Sequence, residues 1–163
     1  MRTIKKRRRL QGKTDYKARL VMLKSGIARV VFRKTNRYII GQFIKSKEAK
    51  DFISVGLDSR ELVAFGWPKS PSIKSLPAAY LTGFLLGKKV IDKEGKTRAI
   101  FDLGLMRSIP KSREYAFLKG VIDSGVEISG DKKMFPEESR LLGKHLKNNV
   151  SVEAIKQKIA KEA

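Results

Sequence analysis

The chain has 163 residues and no cysteine, with 37 Lys and Arg against 16 Asp and Glu and a net charge of +21. That length gives one domain able to bury a core, and the missing thiols exclude disulfides, zinc ribbons and cysteine nucleophiles. So large a charge repels itself in the compact state and points to a polyanionic partner; residues 1–50 hold 17 of the cations against only Asp15 and Glu48.

Residues 1–13 are too charged to pack. They read as an extended arm that orders only on its partner. The arm carries Arg2, Lys5, Lys6, Arg7, Arg8 and Arg9 and ends at Gly12. Thr14 reads as the N-cap of a helix over 15–24, with Asp15 in a first turn favoured by the helix dipole. Tyr16, Leu20 and Leu23 recur at helical spacing as one apolar stripe, leaving Lys17, Arg19 and Lys24 on the wet side. Ser25 and Gly26 stop the helix. Residues 28–33 form a strand of β-branched and aromatic residues. A polar turn follows over 34–37, with Asn36 the expected residue at positive φ. A second strand over 38–44 completes a hairpin with basic residues at its tip. A helical link over 45–50 leads to a short third strand over 52–57. Residues 60–65 fit a helix or a strand equally. Residues 66–72, with Trp67, Pro68 and Pro71, form a loop.

Pro77 opens a helix that runs to 91, apolar nearly all round until Lys88 and therefore buried. Gly83 and Gly87, one turn apart, let another element approach closely. Residues 97–105 carry an almost continuous apolar run, which suits a central strand covered on both faces. A helix follows over 113–124 with Tyr115, Leu118 and Ile122 on one face and Gly125 as its cap. The tail holds helices over 137–147 and 152–161, the second with Ser151 as N-cap. This order predicts an α/β fold, a three-layer sandwich on a mixed sheet of about four or five strands. Its parts are the basic arm 1–13, an α/β domain 14–130 and a C-terminal helical tail 131–163.

The chemistry-bearing motifs are few. Gly83-Phe84-Leu85-Leu86-Gly87-Lys88 has three residues between its glycines where a phosphate-binding loop needs four, and it lies inside a helix. No nucleotide cofactor is expected. Asp102 stands without the convergent carboxylates of a metal-dependent nuclease; it is expected to bond a backbone group or face a cation. The single histidine, His145, sits among lysines and suits a surface or RNA-facing place. Trp67 either stacks on a base or, as the loop context favours, anchors its loop to the core. The apolar run over 76–86 is about half a membrane span, and residues 1–24 offer too few apolar anchors for a membrane-surface helix. Lys and Arg interrupt every early apolar run, so no secretory signal is read. The chain therefore reads as non-enzymatic and cytoplasmic, with no metal and no small-molecule substrate.

Phosphates call for Lys and Arg, and RNA adds a need for stacking surfaces and for donors to the 2′-OH. The candidate site is the arm, the first helix and the hairpin. It comprises Arg2, Lys5, Lys6, Arg7, Arg8, Arg9, Lys13, Thr14, Tyr16 and Arg19, then Arg33, Lys34, Thr35, Asn36, Arg37, Tyr38 and Gln42. Two roles stay open for Tyr16 and Tyr38: stacking surface or core packing.

Several segments, in order, carry a family resemblance. GKTDYKARL at 12–20 follows an Arg-rich arm, and RKTNRYII spans 33–40. Gly66 and Trp67 precede PAAYLTG at 77–83. DLGL at 102–105, KGVIDSGVEI at 119–128 and FPEESRLLGKH at 135–145 complete the set. The chain resembles the archaeal and eukaryotic branch of large-subunit ribosomal protein eighteen over roughly residues 7–147. The resemblance implies a ribonuclease-H-like sheet topology without nuclease activity. It also implies a place in the central protuberance, binding 5S rRNA and touching the large-subunit (23S-type) rRNA. The expected protein neighbour is the 5S-binding ribosomal protein numbered five in the bacterial series. The family's role falls on residues 7–16 and 33–38; Arg2, Lys5, Lys6, Arg19 and Gln42 join them by charge and position. Residues 148–163 match no family segment.

Overall fold

A computed structural model describes residue 4 and residues 6–68, 72–146 and 151–162. Arg2, Lys5 and Pro71 lie outside the described residues, as does the end of the helix expected over 137–147.

Four strands form one sheet in the order β3-β2-β1-β4. They are β1 (Ala28–Lys34), β2 (Ile39–Lys47), β3 (Lys50–Asp58) and β4 (Ala99–Asp102). β1 pairs antiparallel with β2, and β2 with β3, while β4 runs parallel to β1. Side chains alternate across a strand, so Val30, Phe32, Gly41 and Phe43 share the inner face. Register places Val30 opposite Phe43 and Phe32 opposite Gly41. Helices lie on both sides of the sheet, giving the α/β architecture expected from the sequence.

The inner side is covered by α3 (Leu76–Glu94) and α4 (Arg113–Asp123). Ser75 caps α3 by accepting from Ala78 N, and Pro77 sits in its first turn where no amide is needed. Thirteen residues of α3 are buried, running from Leu76 through Gly87 and ending with Val90. Glycines set how closely the two helices approach. A Cβ on Gly83 would lie 2.1 Å from the Phe117 carbonyl oxygen, and one on Gly120 would lie 2.1 Å from that of Tyr80. Gly41 plays the same part in the sheet: a Cβ there would meet the Phe117 ring at 2.8 Å. Phe117 fills that space and packs on Phe32 with centroids 5.2 Å apart. Phe32, Phe43 and Phe117 are fully buried, each worth roughly 2–3 kcal/mol of transfer free energy.

The remaining helices are short α1 (Arg7–Leu10), α2 (Tyr16–Lys24), α5 (Glu138–Leu141) and α6 (Val152–Glu162). α6 places Val152, Ile155 and Ile159, all buried, against the core. A polar hub fastens it. Lys156 Nζ donates to the Tyr80 hydroxyl at 2.7 Å, and that hydroxyl donates to Asp123 Oδ2 at 2.9 Å. Burial pushes the Tyr80 hydroxyl above its ordinary range, and the charge of Asp123 adds to the effect.

Several sequence expectations are corrected. The arm is not wholly extended: residues 7–10 form a helical turn, closed by Gly12 at φ +60°. Asp15, not Thr14, caps α2, accepting from the amides of Lys17 and Ala18. The apolar stripe of α2 is not buried; Leu20 is 54% exposed, and no residue of α2 is buried. Asn36 is not at positive φ; that conformation falls on Glu48 and Ala49. They form a two-residue turn between β2 and β3, because a tight hairpin needs positive φ at both central residues. There is accordingly no helical link over 45–50. Residues 59–63 form a 3-10 turn with an Asp58–Glu61 capping box. β4 stops at Asp102, whose carboxylate accepts from Gly104 N in a turn, and it is an edge strand, not a central one. Of the face expected on α4, Leu118 is buried, together with Ala116, Phe117, Gly120 and Val121, but Tyr115 and Ile122 are only partly buried. The tail helix shortens to four residues, Glu138–Leu141. Trp67 is 2% exposed, so it anchors its loop in the core.

Candidate nucleic-acid interface

The outer face of the sheet carries the cationic layer. Its foundation is Arg29, which the sequence reading did not single out. Arg29 is only 3% exposed. One guanidinium nitrogen reaches Asp102 Oδ2 at 3.1 Å, and the other reaches Asp51 Oδ1 at 2.7 Å and Ser46 Oγ at 3.2 Å. A buried guanidinium is tolerated only when paired this completely. Asp102 thus does what the sequence suggested, facing a cation and bonding a backbone amide. Asp51 also takes Arg19 at 2.8 Å, which ties α2 to the sheet. Burial raises the Asp51 carboxyl, but hydrogen bonds from Arg19 and Ser46 and the charge of Arg29 outweigh it. The net effect is a position below the ordinary 3.8.

The arm folds back over this base. Arg8 Nε donates to Thr14 Oγ1 at 2.8 Å, and Lys13 N donates to the Arg8 carbonyl at 2.9 Å. Arg8, Lys13, Thr14, Arg19 and Arg33 then line one recess with Gly104 at its edge. Lys6 Nζ stands 4.5 Å from the centroid of Tyr16. That ring is therefore partly exposed and cation-backed, not core.

The hairpin tip is locked from within. The Thr35 hydroxyl donates to the Tyr38 carbonyl at 2.7 Å and accepts from Tyr38 N at 3.0 Å. Lys34, Asn36 and Arg37 are left exposed. Two cations missed by sequence reading brace the tip. Lys74 Nζ donates to the Asn36 carbonyl at 2.7 Å. Arg60 lies 4.5 Å over the Tyr38 ring and is oriented by Asp58, whose carboxyl Arg60 holds below its usual range. The Asp58–Glu61 capping box was a readable signal for the second; nothing local marks the first.

The structure does not gather every predicted residue. Arg33 shares the recess with Arg8 and Lys13, its guanidinium donating to the Phe32 carbonyl at 2.9 Å. Arg19 is committed to Asp51 and only 29% exposed at its side chain. Gln42 sits apart, half-buried in mid-sheet opposite Val31 and Gly56. Three acids of this layer are spent internally: Asp15 on backbone amides, Asp51 and Asp102 on arginines. Among the described residues, Arg7, Arg8, Arg9, Lys13, Lys34 and Arg37 have no carboxylate within salt-bridge distance, which is what a phosphate-binding surface needs.

Among the described residues no group of three His, Cys, Asp or Glu could hold a metal, and no helix is long and apolar enough to cross a membrane. His145 is exposed.

A family model described as ribosomal large subunit proteins 60S L5 and 50S L18 matches residues 2–97. The chain is 48% identical over 143 residues to large ribosomal subunit protein uL18 of Korarchaeum cryptofilum, covering 88% of this chain and 72% of that one. It is 43% identical over 140 residues to uL18 of Methanoculleus marisnigri, covering 86% and 78%. With uL18 of Caldivirga maquilingensis the identity is 42% over 144 residues, covering 88% and 68%. The cationic layer, the mixed sheet and these likenesses agree: the chain belongs to this family of large-subunit ribosomal proteins, structural constituents of the ribosome and not enzymes.

Proposed function

We propose that this chain binds 5S rRNA and helps attach it to the large-subunit rRNA in the central protuberance, beside the 5S-binding ribosomal protein numbered five in the bacterial series. The observation that carries the reading is the convergence of the arm on Arg33. Arg33, next in sequence to the Lys34–Tyr38 hairpin tip, lines one recess with Arg8 and Lys13 of the arm. Phosphate contacts from the arm position the RNA. The braced tip, with the Tyr38 ring and the exposed Asn36 side chain, supplies the selective contacts. Arg19 contributes by holding α2 in place, and Arg2 and Lys5 extend the arm's charge.

The test is competition binding at about 150 mM salt, near physiological ionic strength, with 5S rRNA against tRNA and a generic duplex. Preference for 5S rRNA is expected, with affinity falling roughly 10³–10⁵-fold from 50 to 200 mM salt if about 6–10 phosphates are neutralised. Replacing Arg7, Arg8 and Arg9 with Ala is expected to weaken all RNAs alike, and replacing Tyr38 to erode the preference. Equal binding of all three RNAs with a flat salt response overturns the reading.

A further inference from the structure

The opposite end of the sheet carries a feature that the reading above does not use. β1 and β4 begin there, and β2 and β3 are joined there by the Glu48–Ala49 turn. Ile27, Ala28, Lys45, Lys47, Phe52 and Arg98 line a shallow groove. Phe52 is 57% exposed, opposite Lys45 in the ladder, and lies beyond the reach of the core. Lys47 pairs in register with Lys50, so two cations stand side by side at the rim. Among the described residues, neither Lys47 nor Arg98 has a carboxylate within salt-bridge distance. Lys45 is the exception, paired with Glu94, which also accepts from the Ser54 hydroxyl. No acid lines the groove.

An exposed aromatic ring set among unpaired cations from separate elements is the arrangement that receives an unpaired base and its flanking phosphates. Duplex RNA offers no free base face for such a ring. An acidic peptide would satisfy the cations but would leave the ring's flat face without a matching plane. We propose that this groove binds an unpaired nucleotide segment of RNA, with Phe52 as the stacking surface and Lys47 and Arg98 as phosphate contacts. The inference rests on the RNA-binding reading above and adds a second site to it. β2 runs the nine residues Ile39–Lys47 between the hairpin tip and the groove, about 27 Å at the usual rise per residue. The hairpin tip and the groove therefore engage separate RNA segments with the sheet as the spacer between them, while Arg8 and Arg19 lie beside Asp51.

The experiment uses the full chain already bound to 5S rRNA. A single-stranded oligouridine carrying 5-iodouridine is added and photo-crosslinked, with its affinity followed by anisotropy. The expected result is a crosslink at Phe52 and roughly tenfold weaker oligouridine binding in Phe52→Ala, since stacking on an aromatic is sequence-tolerant and of that size. Phe52→Tyr should retain binding, and Lys47→Ala with Arg98→Ala should weaken it and flatten its salt dependence. In all of these, 5S rRNA affinity should stay within about twofold. Crosslinks confined to the arm or to Tyr38, or unchanged oligouridine affinity in Phe52→Ala, overturn the proposal. So does displacement of the oligouridine from Phe52 by a polyglutamate peptide at matched charge. Failure of the parent reading shows up separately, as loss of 5S preference by the unsubstituted chain. Phe52 lies outside the core, so thermal melts of the variants should match the parent's.

Discussion

The two sides of the sheet are built on different physics. On the inner side α3 and α4 meet backbone to backbone, with glycines where a methyl group would strike a carbonyl oxygen. On the outer side α2 buries no residue at all. Asp15 caps it, Arg19 ties it to Asp51 in the Arg29 network, and Tyr16, Met22 and Leu23 are only half-buried. Apolar close packing is dense and intolerant of added volume. Polar attachment through ion pairs is weaker when partly exposed and depends on pH and salt. The inner layer is therefore suited to fixing the fold, and the outer layer to carrying charge that another molecule can recruit.

The sharpest way to break this comparison is Gly83→Ala. Its Cβ would fall 2.1 Å from a backbone oxygen that cannot rotate away, so a loss of at least about 3 kcal/mol is expected in urea unfolding. A near-neutral result would mean that the helices can separate freely, and the contrast between the layers would be lost. Next is Asp102→Ala. It leaves buried Arg29 with Asp51 as its one carboxylate beside the Ser46 hydroxyl, at an expected cost of about 2–3 kcal/mol. The accompanying signature is faster amide exchange in α2 than in α3.

Acid sharpens the same point. The Asp51 carboxyl lies below its ordinary 3.8 in the folded chain. Its stabilisation is therefore complete above that value and is lost as pH falls through the folded value. Protection of α2 should decline below about pH 4 while α3 stays protected, and Asp51→Asn should remove that difference. The smallest expected effect is Leu20→Lys in α2. The side chain is 54% exposed, so stability should change by less than about 0.5 kcal/mol. A larger loss in a melt would show that α2 is packed after all.

How far the sequence revealed this follows the same division. The buried α3 was legible because Pro77, the apolar run and the paired glycines all speak of one environment. The β1–β2 hairpin was legible from its β-branched strands and polar turn. The apolar stripe of α2 was legible but its cover was not, because helical periodicity reports which face is apolar, not whether anything covers it. Arg29 was passed over because an arginine between Ala28 and Val30 looks like the wet side of a strand. Its buried partners, Asp51 and Asp102, are far away in sequence. The Glu48–Ala49 turn carries none of the Gly or Asn signals that mark positive φ. Within the candidate site, the arm and hairpin cations could be found from charge density. Arg60 could have been placed only through the Asp58–Glu61 capping box, and Lys74 not at all, because only the folded chain brings them to Tyr38 and Asn36.

The Tyr80 hydroxyl, joined to Asp123 and Lys156, has a consequence for the order of events during synthesis. Val152, Ile155 and Ile159 are made after every other part of the core they cover. Until they emerge, the side of α3 beneath them is bare, and Tyr80 lacks the lysine that later donates to it. The cationic arm, in contrast, is made before all of the core. For this chain the cations of the arm are thus made well before α6 closes over the part of the core it covers.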